Sequence, residues 1–170
     1  MHYLEAQDAT VVVVRNDKIN FDEVHNFEKI VLSPGPGLPK DAGMQPKLIQ
    51  QFALSKSILG VCLGFQALVE YFGGEIFNQQ EVKHGVAEKC NVISESKLFS
   101  GIPNQFKVGL YHSWAAKKEN FPSELKITAL SENNTIMAFE HQSLPICAVQ
   151  FHPESILTEN GHQMIKNFLA

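Results

Sequence analysis

A cysteine stands between two glycines in Gly60-Val61-Cys62-Leu63-Gly64, directly after the apolar run that begins at Ser57. This is a cysteine version of the G-x-S-x-G nucleophile elbow, in which small flanking residues allow the sharp strand-to-helix turn that exposes a nucleophile above a sheet. A helix N-terminus behind such a residue stabilises a thiolate. Taken alone, the motif fits a packed core cysteine equally well. A nucleophile also needs a base, an acid that orients the base, and donors for an oxyanion.

Of the seven histidines, only His152 is followed by a proline and a carboxylate, in the stretch AVQFHPES. Ring and carboxylate two residues apart can lie side by side when the proline between them fixes the backbone, so Glu154 can accept from the far imidazole nitrogen. Cys62, His152 and Glu154 therefore make a candidate Cys-His-Glu triad. His84 and His112 have no adjacent acid and are expected to hydrogen-bond in a loop or pocket wall, while His2, His25, His141 and His162 are expected at the surface. Elbow geometry offers the Leu63 N–H as one oxyanion donor. The loop SPGPG, Ser33 to Gly37, offers the other, because Gly35 and Gly37 permit close backbone approach and Pro34 and Pro36 stiffen it. Those prolines remove N–H donors and no Gly-Lys-Ser/Thr follows, so phosphate binding is the weaker reading of the loop.

These residues need elements to position them. The run TVVVVRND reads as a strand buried on both faces, and Ile30 to Leu32 as a second short strand stopped by SPGPG. From Met44, residues Leu48, Ile49, Phe52 and Ala53 fall on one helical stripe. The segment SILGV is another buried strand, and Phe65, Leu68, Val69 and Phe72 recur at helical spacing before Gly73-Gly74. Strands alternating with helices predict an α/β fold with parallel strands. Beyond Glu75 the segments KCNVIS, QFKVGLYHSW, LKITALSE, TIMAFEH and LPICAVQFH predict strands with short breaks, extending the sheet in antiparallel fashion. A last amphipathic helix is expected over Gly161 to Leu169. The expected fold is an open mixed, mostly parallel sheet flanked by helices, with an antiparallel extension.

Composition bounds the class. The chain has 170 residues, 44% hydrophobic and 19% charged, which fits one domain spanning 1–170. No apolar run approaches the roughly 20 residues needed to span a bilayer, and no export signal is evident, so a cytoplasmic location away from membranes is expected. A net charge of −4 gives no footprint for nucleic acid. The three cysteines form no C-x-x-C pair, which disfavours a disulfide framework or a zinc site, and Cys90 and Cys147 read as core residues. No cofactor is called for.

With LSPGPGLP, GVCLGFQ, YHSW and VQFHPESILTENG in this order, the chain resembles the class I (triad) glutamine amidotransferases. The wording looks like the small subunits of anthranilate synthase, with those of aminodeoxychorismate synthase as close kin. The resemblance implies that Cys62 attacks the carboxamide of L-glutamine, that His152 moves protons, and that Glu154 orients His152. It implies a thioester held by the Gly35 and Leu63 N–H groups, and a substrate gripped by Gly37, Gln66 and the backbone at Ser113 and Trp114. Ammonia would pass to a chorismate-using synthase large subunit in a hetero-oligomer, in tryptophan or folate synthesis. A γ-glutamyl hydrolase-like enzyme acting without a partner, or a non-enzymatic module, are the rival readings.

The pattern departs from the family at Phe65, where a histidine is common, and at Val86, where a lysine often follows His-Gly. Its first apolar strand and Asp-Asn-x-Asp-Ser-Phe loop are also missing, and HYLEAQDA reads as the tail of a helix. The expectation is that such a segment belongs upstream, and that stability and activity fall without it.

Overall fold

Two parallel strand pairings set the frame for everything near Cys62. In the computed structural model, which describes residues 1–170 apart from the side chain of Glu81, seven strands form one sheet. In chain order they are β1 (Lys29–Leu32), β2 (Ser57–Val61), β3 (Ile76–Val92), β4 (Gln105–Ala116), β5 (Leu125–Ser131), β6 (Ile136–His141) and β7 (Ile146–Val149). Their spatial order is β1-β2-β7-β6-β5-β3-β4. β2 lies parallel to both β1 and β7, with Gly60 opposite Leu32 on one side and Ala148 on the other. The remaining pairings, from β7 to β6 and outward to β4, are antiparallel. This is the open mixed sheet with an antiparallel extension, and β7 is the strand that belongs to both halves.

β2 reads as a continuous apolar run because both of its faces are covered. On one side α3 (Gln45–Phe52) and α4 (Leu63–Tyr71) bring Leu48, Ile49, Phe52, Phe65 and Leu68 against Ile58 and Ala148. On the other, α5 (Gly161–Leu169) packs Met164, Ile165 and Phe168 against Leu59, Val149 and Phe151. These helices fall where the 3.6-residue periodicity puts them. Two further single-turn helices, α1 (His2–Glu5) and α2 (Phe21–Val24), lie in the first part of the chain. Among the described residues, no helix is long and apolar enough to cross a membrane.

Two sequence expectations change. The valine run Val11–Val14 reads as a buried strand, yet it has no regular structure, and Val12 and Val13 are 57% and 70% exposed. A strand needs a neighbour to take its N–H and C=O groups. Among the described residues none pairs with this run, nor with the outer edge of β1. β3 is also longer than the segment KCNVIS, beginning at Ile76, with register shifts between Asn78 and Lys83 and between His84 and Val86. The polar and glycine residues of that stretch hide the strand from a periodicity argument, because a bulged edge has no clean alternation.

α4 meets the sheet through glycine. A Cβ at Gly64 would lie 2.4 Å from the Leu32 carbonyl oxygen and 2.6 Å from its Cβ. At Gly60 it would lie 2.8 Å from the Gly64 carbonyl carbon. Backbone therefore rests on backbone where β2 turns into α4. Gly64→Ala should lower stability by about 1–3 kcal/mol, because the helix must lift off β1. Urea unfolding checks this, and an unchanged midpoint would show that α4 can shift without loss.

Candidate active site

Cys62 follows the last residue of β2 and serves as the N-cap of α4, with φ +53° and ψ −99°. Five non-glycine residues have positive φ among those described, and the other four are Asn or Asp, the types that tolerate it. A cysteine held there is strained, with the sharp strand-to-helix turn that a nucleophile elbow has. Its N–H donates to Val149 O at 2.9 Å and its carbonyl accepts from Gln66 N–H at 3.1 Å, so β7 and α4 fix it from both sides. The other two cysteines differ. Burial, with smaller contributions from Glu88 and Glu140, pushes Cys90 and Cys147 up to about 12, which keeps both as inert thiols.

His152 stands three residues beyond β7, so adjacent parallel strands carry Cys62 and His152 out at the same edge of the sheet. Its Nδ1 is 2.8 Å from Glu154 Oε1. Burial opposes a charge on the ring, but the Cys62 thiol and the Glu154 carboxylate outweigh it and raise the pKa to about 9. Burial raises the Glu154 carboxyl too, yet its hydrogen bond to His152 brings it below the ordinary value. Cys62 is thus near enough to favour the imidazolium, although His152 Nε2 makes no well-formed hydrogen bond. Such loose contacts are common in enzymes without substrate.

The loop that holds His152 is clamped by residues that the sequence reading did not single out. His152 N–H donates to Gly109 O, and its carbonyl accepts from Thr158 Oγ1 at 2.6 Å. Thr158 Oγ1 in turn accepts from Gly109 N–H at 2.9 Å. Tyr111 sets its ring against the His152 imidazole with centroids 4.8 Å apart, and its hydroxyl lies 2.9 Å from Ser155 Oγ. α5 presses from behind: a Cβ at Gly161 would be 1.9 Å from Pro153 O. The isolated Gly109 in a strand pattern is the one sequence signal for this close approach.

The other expected residues gather here in part. Gly35 meets the elbow directly, since a Cβ on it would be 3.0 Å from Leu63 Cδ2. Leu63 is the first residue of α4, where an N–H has no carbonyl partner within the helix. Gly37 takes φ +82° in the same loop. Gln66 and Trp114 are joined by a hydrogen bond from Gln66 Nε2 to Trp114 O at 3.0 Å, and Ser113 precedes Trp114 on β4. His112 is a buried wall residue whose Nδ1 is 3.0 Å from the same carbonyl. Burial, helped by the charges of His152 and Lys83, drives it down to about 4. His84 stays exposed and stacks edge-on with Tyr111.

A separate groove of about 770 Å³ is lined by Lys29, Ser57, Pro145, Ile146 and Phe168. Ser57 and Ile146 open β2 and β7, so this groove lies at the opposite end of the strands from Cys62.

The family description "Glutamine amidotransferase class-I" matches residues 1–170. Anthranilate synthase component 2 of Methanocaldococcus jannaschii is 48% identical over 165 residues, covering 91% of this chain and 81% of that protein. The aminodeoxychorismate/anthranilate synthase component 2 of Bacillus subtilis is 38% identical over 172 residues, covering 99% of this chain and 88% of that protein. Among solved structures, a Thermoplasma acidophilum protein described as part of a GMP synthase has a TM-score of 0.89 at 27% identity, covering 99% of this chain and 83% of the other. A match that runs the length of the chain, on a sheet whose neighbouring strands bring Cys62 and His152 to one edge, places this protein in the class-I glutamine amidotransferase family.

Proposed function

We propose that this chain hydrolyses L-glutamine to glutamate and ammonia, and delivers the ammonia to a chorismate-using component 1 of anthranilate synthase. The observation that carries the reading is the strained Cys62 beside an imidazole that Glu154 holds at 2.8 Å. The names of the M. jannaschii and B. subtilis relatives support the partner. The second of those names covers aminodeoxychorismate synthase as well. Ammonia serves both acceptors, and the choice between them belongs to the partner subunit.

The chemistry follows in two halves. Cys62 Sγ attacks the carboxamide carbon, and the oxygen gains charge against the N–H groups of Leu63 and Gly35. A pKa near 9 leaves His152 protonated at neutral pH, so Nε2 gives its proton to the departing nitrogen and ammonia leaves. A γ-glutamyl thioester remains. Water then attacks it, the now neutral His152 takes the water's proton, and the sulfur departs to free glutamate. Glu154 stays ionised and keeps Nδ1–H aligned throughout. Gly37, Gln66 and the backbone at Ser113 and Trp114 hold the rest of the substrate.

Cys62→Ser should lower glutamine-dependent product formation by at least about a thousandfold, while synthesis by the partner from added ammonia survives. Assay of the complex with each nitrogen source checks this, and retained glutamine use would overturn the nucleophile.

The His152 proton gives a second measurement. The folded ring holds its proton more tightly than an ordinary histidine of pKa 6.5, so its contribution to stability is full below that pH and is lost as pH rises through about 9. NMR titration of the ring should show this high midpoint, and Glu154→Gln should move it downward. A ring titrating at its ordinary value in the unaltered chain would count against the ion pair.

Partner dependence separates this reading from a γ-glutamyl hydrolase-like enzyme. Glutamine turnover should be slow in the isolated chain and rise when component 1 closes the site. Equal rates with and without it, together with cleavage of γ-glutamyl peptides, would favour the hydrolase.

A further inference from the structure

β4 is the outermost strand on its side of the sheet, so no strand among the described residues pairs with its outer row of N–H and C=O groups. The segment that follows β7 takes that place at two positions. Gly109 O accepts from His152 N–H at 3.2 Å, and Gly109 N–H donates to Thr158 Oγ1 at 2.9 Å. Two residues earlier, Lys107 O accepts from Glu159 N–H at 2.9 Å, and Lys107 N–H donates to Glu159 Oε2 at 2.8 Å. At each position a side-chain oxygen accepts the N–H that a neighbouring strand would have met with a carbonyl.

Glu159 covers the edge, whereas Thr158 also reaches through to His152. Its Oγ1 donates to the His152 carbonyl at 2.6 Å. Gly109 N–H can only donate and that carbonyl can only accept, so the direction of both bonds is forced. Ser155 N–H, at 3.1 Å, is the other donor to the same carbonyl and fills its second lone pair. Both backbone groups of His152 therefore lead to Gly109, one directly and one through a single hydroxyl. Glu154 rides on the same loop, so its bond to Nδ1 turns the ring without setting how far the ring stands from Cys62. That distance depends on where the His152 backbone is seated against β4.

We infer that Thr158 is a positioning residue for the proton transfers at Cys62: its hydroxyl seats the His152 backbone on β4 at the height from which the ring reaches the sulfur and the departing nitrogen. The inference rests on the glutaminase reading and adds to it a residue outside the Cys-His-Glu set. A methyl group in place of the hydroxyl needs about 3.5 Å to a carbonyl oxygen where Oγ1 stands at 2.6 Å, so the His152 carbonyl must draw back by about 1 Å. A misplacement of that size is worth about a hundredfold in rate.

The test compares Thr158→Val with Thr158→Ser in the chain bound to component 1. Valine matches threonine in shape and replaces Oγ1 by a methyl, while serine keeps the hydroxyl. Thr158→Val should lower kcat for glutamine about a hundredfold and change KM less than about threefold, because the hydroxyl is taken up by Gly109 and His152. Thr158→Ser should return to within about threefold of the unaltered chain. Glu159→Ala removes the acceptor of Lys107 N–H on the same edge, so its urea midpoint should fall as in Thr158→Val while kcat stays within about threefold. Thr158→Ala removes the hydroxyl without adding bulk and should lower kcat about tenfold or more, which decides the matter if the valine variant does not fold.

A second readout needs neither partner nor turnover. The His152 ring, held up to about 9, should titrate nearer its ordinary 6.5 in Thr158→Val, where it is drawn away from the thiol, and should keep its unaltered midpoint in Glu159→Ala. Unchanged kcat in the variants without the hydroxyl, an unmoved ring midpoint, or an equal loss of kcat in Glu159→Ala overturns the inference. An unaltered complex that does not use glutamine sinks the glutaminase reading, while the ring titration still decides whether Thr158 seats His152.

Discussion

The close contact of Gly60, Gly64 and Leu32 is the constraint on which the candidate site depends. With no side chain between them, α4 starts directly on the sheet, leaving no room for a gradual turn out of β2. Cys62 must reverse direction in one residue and takes a positive φ to do so. The same start leaves the first N–H groups of α4 without carbonyl partners inside the helix. Strain at Cys62 and the free donor at Leu63 are two consequences of one packing decision. The hydrogen bonds that Cys62 makes to Val149 and Gln66 hold that strain in place.

Two histidines near this turn are driven in opposite directions by their surroundings. His152 has a carboxylate on one nitrogen and a thiol near the other, so its proton is held up to about pH 9 despite burial. His112 is buried with no acid beside it, faces the charges of His152 and Lys83, and falls to about 4. One ring therefore keeps its second proton at neutral pH and the other is a neutral donor. Pushing the pKa values of neighbouring groups apart is what allows each to keep a single role at neutral pH.

The parts of this arrangement that were legible in the sequence are those fixed by local chemistry. The elbow glycines, the SPGPG loop and the His-Pro-Glu run each act within a few residues, and α3, α4 and α5 follow from apolar periodicity. The full family pattern added Gln66, Ser113 and Trp114, which no local argument would have grouped. Tertiary partnership was not legible. Val11–Val14 has the composition of a buried strand but no neighbour to make it one, because β-propensity reports fit to a covered surface and not an intrinsic backbone preference. Thr158 was silent for the complementary reason: its partner Gly109 lies 49 positions away in the chain.

The two halves of the sheet divide the work accordingly. The parallel strands β2 and β7 deliver Cys62 and His152 to one edge, but a strand end alone leaves the following loop free to move. It is the antiparallel strand β4 that removes this freedom, through Gly109 and Tyr111. Thr158 closes the loop on itself by donating to the His152 carbonyl while accepting from Gly109, so a single hydroxyl ties the His152 loop to the extension. A helix packed on β4 in place of the loop would cover the strand equally well and still leave His152 unfixed. The extension thus supplies the second anchor for His152, the first being Glu154.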